Sequence, residues 1–156
     1  MLDALTDTLR FKTGMLRGLV DGLDDADLRF RPAGGGNCAW WIVGHIATCR
    51  LPLGRMVGAE LAPAGWEETF DMGSDGDPAA GWPDLAALLA VADERGEAIA
   101  AALPGAGELL AATAEHIITK APTTGAVNVA FLLFHEDYHF GQLGFLRRLR
   151  GKPGIA

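Results

Sequence analysis

The run GAVNVAFLLFHEDYHFGQLGFLRRLR, Gly125 to Arg150, most limits what this chain can become. It holds no proline, and as one helix it spans roughly 38 Å. Gly151 and Pro153 follow in the order that ends helices. Arg147, Arg148 and Arg150 crowd its last turn, where cations complement the helix macrodipole.

Three earlier segments keep helical spacing. The first runs from Leu2 to Leu23, with Leu2, Leu5, Leu9, Leu16, Leu19, Val20 and Leu23 on its apolar side. The second, CAWWIVGHIATCRLPLGRM, is expected to take Asn37 as N-cap and to kink or end at Pro52. The third begins with Pro83 in its first turn and carries Leu85, Leu88, Ala92, Ile99 and Leu103 as its stripe. DGLDDADLRFRPAGGG should be irregular, and a connector of over twenty residues links the second and third helices. In PGAGELLAATAEHIITKAPTTG, EHIITK could form a short extended piece. Four helices and no convincing strand define an all-α four-helix bundle, read as a single domain over 1–156. Structureless loops that long are uncommon, so the connector is expected to cross over along the bundle and let helices two and three run parallel.

With 49% hydrophobic residues in 156, disorder is excluded. A net charge of −7 argues against nucleic acid as a partner, because phosphate binding needs a basic face. No apolar run reaches the length of a membrane span. The N-terminus lacks the apolar core of a signal peptide, which makes a cytoplasmic location the expectation. Cys38 and Cys49 fall about 16 Å apart along one helix, too far for a disulfide.

His135 and His139 stand at i and i+4, about 40° apart on one helix face, so two imidazoles can meet one ion. Asn128 and Gln142 share that stripe with Phe131, Leu132 and Leu146. Polar groups facing a core are costly unless satisfied, and a bound cation would satisfy them. A third ligand is available in His45, inward on the second helix beside Gly44, where another backbone could come close. Three histidines leave positions open for water or substrate, the pattern of catalytic zinc. Buried imidazoles hydrogen-bonded to partners are the alternative. Cys49 is read as a small buried hydrophobe before a fourth ligand, and His116 as a loop residue.

His135, Glu136 and His139 also spell the H-E-x-x-H of zinc proteases. The metzincin form wants a further histidine where Phe145 stands, and no acidic residue follows His139. Glu136 lies about 100° round the helix from His135, as a solvated residue or an acceptor behind the ligands. The protease match is therefore fortuitous.

GGGNCAWWIVGHIATCR followed by FLLFHEDYHFGQLGFLRRLRG resembles the DinB/YfiT-like superfamily of metalloenzymes, through Trp41, His45, His135, His139, Gly141, Gln142 and Leu143. The first helix and LDDADLRFRP extend the likeness over most of the chain. The resemblance implies a homodimeric four-helix bundle with a divalent ion, zinc or nickel, on His45, His135 and His139. Relatives include transferases and isomerases that use a low-molecular-weight thiol activated by the metal.

The expected function is thus a metal-dependent S-transferase carrying a low-molecular-weight thiol to a small electrophilic substrate. A metal-assisted small-molecule hydrolase and a non-catalytic metal-binding dimer are the alternatives. Gln142 and Asn128 would back the ligands or touch substrate, Trp41, Phe134 or Tyr138 would supply an aromatic wall, and Arg50 or Arg55 could hold an anionic thiol.

Overall fold

Helix α1 (Leu2–Val20) leads into α2 (Asp25–Leu28), and α3 (Ala39–Met56) follows. After a crossover holding a 3₁₀ turn at Glu67–Phe70 come α4 (Leu85–Ala102), a second 3₁₀ turn at Leu103–Gly105 and α5 (Gly107–Ala111). A hairpin of β1 (Thr113–Glu115) and β2 (Pro122–Thr124) then delivers the chain into α6 (Gly125–Leu149). These elements come from a computed structural model that describes residues 2–74 and 81–155.

The four long helices form the bundle, with α1 against α4 and α6, and α3 against the same two. Cross-helix contacts give their directions. Thr6 meets Ala100 and Arg17 meets Asp93, so α1 and α4 are antiparallel. Trp40 reaches Pro83 and Arg50 reaches Ala92, while Gly54 faces Ile99, so α3 and α4 run parallel as the crossover demands.

The crossover is nailed down rather than draped. Gly44 and Gly54 are its seats on α3: a Cβ at Gly44 would stand 2.4 Å from the Phe70 ring, and one at Gly54 would stand 2.3 Å from Leu61. Phe70 is fully buried, with Trp66 and Trp82 edge-on to it. Buried Arg95 of α4 holds the carbonyls of Ala47 and Ala62 and the Glu67 carboxylate.

The core falls into two apolar clusters, one around Leu16, Ile42, Phe70, Leu88 and Leu143, the other around Leu9, Leu53, Ile99 and Leu132. Between them lies a polar seam. Arg50 of α3 and Glu136 of α6 form a buried ion pair. Arg50 also donates to Ala92 O (2.7 Å) and Thr13 Oγ1 (3.0 Å). Lys12 of α1 donates to Leu133 O (2.8 Å) and pairs with Asp137 (2.9 Å), its ammonium 3.9 Å from Glu136.

Local expectations need correcting at several points. The first helix stops at Val20, and the connector expected to be irregular holds α2, whose Asp24 and Asp27 satisfy each other's backbone N–H groups in a capping box. Cys38, not Asn37, is the N-cap residue of α3, and the helix continues through Pro52 to Met56. Pro83 lies before α4, which Asp84 caps by accepting from Ala87 N at 2.7 Å. EHIITK is mostly the hairpin turn, since β1 ends at Glu115. Arg147 and Arg150 do more than complement a dipole: Arg147 is buried on the carbonyls of Leu19, Asp21 and Pro153, and Arg150 pairs with Asp27 at 2.7 Å.

Candidate metal centre

Each imidazole of the cluster is placed by its helix. His45 is buried on the α3 face turned to α6, and its ring stacks on Trp41 one turn earlier (centroids 4.6 Å, planes 12° apart). His135 and His139 stand one turn apart on the α6 face turned to α3, His139 buried and His135 half-buried. His135 Nε2 lies 3.0 Å from His45 Nε2 and 3.1 Å from His139 Nε2.

The other ring nitrogens decide what those three atoms can be. His45 Nδ1 is 2.6 Å from the Phe70 carbonyl oxygen, and His139 Nδ1 is 2.7 Å from Gln142 Oε1. Both oxygens only accept, so both Nδ1 atoms carry the proton. In the neutral rings each Nε2 then presents a lone pair toward His135. His135 Nε2 has at most one hydrogen for two such lone pairs. The Cys49 S–H, 3.5 Å from His45 Nε2, can supply one of those lone pairs with a hydrogen, and a cation among the nitrogens would take them together. Zn–N bonds of about 2.0–2.1 Å put neighbouring nitrogens about 2.8–3.4 Å apart, from octahedral to tetrahedral coordination. The observed 3.0 and 3.1 Å fall in that interval.

Burial lowers the pKa of all three histidines. For His139, desolvation together with the nearby His45 takes it to about 4. The rings are therefore neutral near pH 7, the form that binds metal. Cys49, one turn beyond His45, is half-buried with its Sγ 3.5 Å from His45 Nε2. Burial pushes its thiol up to about 12. The donor atoms of His45, Cys49 and His135 lie within 4.8 Å of one another; His139 is outside that trio and touches it at His135.

The remaining residues singled out from the sequence divide clearly. Gln142 backs His139, and Trp41 supplies one aromatic wall, tied by its indole N–H to Ser74 Oγ at 3.0 Å. Tyr138 is exposed with its ring edge-on to His139, whereas Phe134 points to solvent. Asn128 is placed elsewhere: its Oδ1 accepts from Ile117 N and its Nδ2 donates to Glu115 O, so its amide clamps the hairpin to α6. His116 is in that hairpin turn, accepting from Ile118 N and Thr119 N. Glu136 is neither solvated nor aimed at the histidines, since Arg50 and Lys12 hold its carboxylate in the seam. That denies it the part of a zinc-protease base and takes Arg50 out of reach as a holder of an anionic cofactor.

Phe70 was not foreseen. It contributes a backbone carbonyl from an aperiodic stretch, and the one signal that pointed to it was Gly44, small enough to admit a neighbour beside His45.

Fold and cluster together define a four-helix bundle with a histidine-rich centre between its second and fourth long helices. The chain belongs to the DinB superfamily, whose model matches residues 8–143. A solved structure, YfiT from Bacillus subtilis, matches with a TM-score of 0.72 at 19% identity, over 97% of this chain and 89% of that one. That protein is described as "a probable metal-dependent hydrolase with an unusual four-helix bundle topology". At this identity the likeness speaks for the fold. No curated protein matches the sequence.

Proposed function

We propose that the chain is a metal-dependent enzyme that holds a divalent ion on His45, His135 and His139 and activates a small nucleophile there. The observation that carries this is the approach of His45 Nε2 and His139 Nε2 to His135 Nε2, at 3.0 and 3.1 Å, with the first two fixed as lone-pair donors by Phe70 O and Gln142 Oε1. A zinc or nickel ion at this place supplies a Lewis acid that lowers the pKa of a bound water or thiol. The chain's own residues do the rest. Phe70 O and Gln142 Oε1 keep protons on the remote ring nitrogens and fix the ring orientations. Trp41 shields one side of His45, and half-buried His135 marks the approach from solvent.

Metal-assisted hydrolysis of a small neutral molecule suits these surroundings better than transfer of an anionic thiol. The charge felt by His45 and Cys49 from the crossover is the Asp71 carboxylate. It would repel an anionic cofactor, and Arg50 is sealed by Glu136. Thiol transfer stays as the second reading for an uncharged thiol. A panel of small esters, amides and epoxides, assayed with and without added thiols, separates the two. Turnover that needs metal and His135 but no thiol supports hydrolysis; turnover only with thiol supports transfer. Inactivity of a fully metal-loaded protein against the whole panel counts against both.

The homodimer has support in α6. Its exposed side carries Val127, Phe134, Tyr138, Phe145 and Leu149, with Gly141 at the middle and Asp137 and Arg148 as its charges. A second copy laid antiparallel, crossing near Gly141, would bring Tyr138 against Phe145, while Asp137 keeps its pairing with Lys12. The self-matching apolar row is what recommends a second copy there.

A further inference from the structure

The sequence favours Cys49 as core filling, yet its sulfur is not in either apolar cluster. It is half-buried, at i+4 from His45 on α3, and therefore on the face that meets the α6 histidines. Its Sγ is 3.5 Å from His45 Nε2. The geometry of a tetrahedral ion gives an independent measure of what that distance means. Zn–S of about 2.3 Å and Zn–N of about 2.0–2.1 Å put a sulfur and a nitrogen of one coordination sphere about 3.5 Å apart. Cys49 thus stands from His45 at the spacing of a fellow ligand, and the donor atoms of His45, Cys49 and His135 are mutually within 4.8 Å.

We propose that Cys49 is a further ligand of the ion, binding as thiolate in the resting protein, its thiol proton passing to solvent as the metal enters. This rests on the metal-binding reading above and adds a restraint to it. With the sulfur engaged beside the histidines, water or substrate reaches the ion when the sulfur leaves, or as an added ligand. The centre is then gated by its own cysteine. A thiolate also makes the donor set softer than three imidazoles, favouring zinc over harder divalent ions.

Cobalt(II) substitution tests this without any assay of activity. The full-length, untagged chain is loaded with cobalt and its spectrum compared with those of Cys49→Ala and Cys49→Ser. We expect a near-ultraviolet sulfur-to-cobalt charge-transfer band in the parent that is lost in both variants, while visible bands show that the metal is still bound. Cys38, at the other end of α3 and about 16 Å away along the axis, cannot supply that band. Visible bands without the charge-transfer band in the parent would overturn the proposal for Cys49 and leave a histidine site standing. Failure of the parent to bind cobalt at all would overturn the metal-binding reading and this proposal together.

Discussion

His45 and His139 are built alike: each gives one ring nitrogen to a fixed oxygen and turns the other toward His135. Such outer partners typically matter 10–100-fold to metal affinity, so Gln142→Ala should weaken zinc binding by about that factor, measured by competition with a chromogenic chelator. The same burial makes the metal-free protein sensitive to acid. His139 binds its proton in the folded state at about 4 and in the unfolded chain near 6.5, and His45 and His135 are shifted in the same direction. Between those limits the unfolded chain holds more protons, so stability falls as pH drops from 6.5 toward 4. Urea midpoints of the metal-free protein at pH 7 and pH 5 should show the loss, and His139→Ala should shrink it. The three histidines could be read from the sequence because i, i+4 spacing and an inward helix face are periodic properties. The Phe70 carbonyl could not, because every residue has one and only the folded crossover says which is used.

At the scale of elements, the crossover and α3 depend on each other through Gly44. Gly44→Ala drives a methyl into the Phe70 ring and should cost about 1–3 kcal/mol, visible in denaturant unfolding. It should also weaken metal binding, since Phe70 O orients His45. The long helices were legible from their apolar stripes, and the parallel pairing of the second and third from the connector length alone. Boundaries were less so: the capping box of Asp24 and Asp27 hid in a stretch dominated by acids and glycines, and Pro52 did not end α3. Glu136 shows why one helix read alone is not enough. Its position round α6 takes it away from the histidines, but the buried cations that receive it come from α1 and α3. Removing one partner of a buried ion pair is far costlier than replacing both. Glu136→Ala should therefore lose about 3–5 kcal/mol, and Arg50→Met with Glu136→Leu should recover much of it, as double-mutant unfolding would show.

For the molecule as a whole, the polar seam between two apolar clusters puts the histidine centre where α1, α3, α4 and α6 are locked together by Lys12, Arg50 and Glu136. The centre is therefore held by paired helices rather than by flexible loops, with the Phe70 carbonyl as the contribution from the crossover. The exposed apolar side of α6 carries its own expectation: light scattering should give the mass of two chains for the parent and of one for Phe145→Glu, with metal content unchanged. The most direct measurement is metal content by plasma mass spectrometry on untagged protein, with His45→Ala and His139→Ala alongside. We expect about one zinc or nickel ion per chain in the parent and its loss in both variants. A folded parent that takes up no stoichiometric metal even after reconstitution would contradict the proposed centre, and leave three imidazoles, two buried and one half-buried, held by hydrogen bonds.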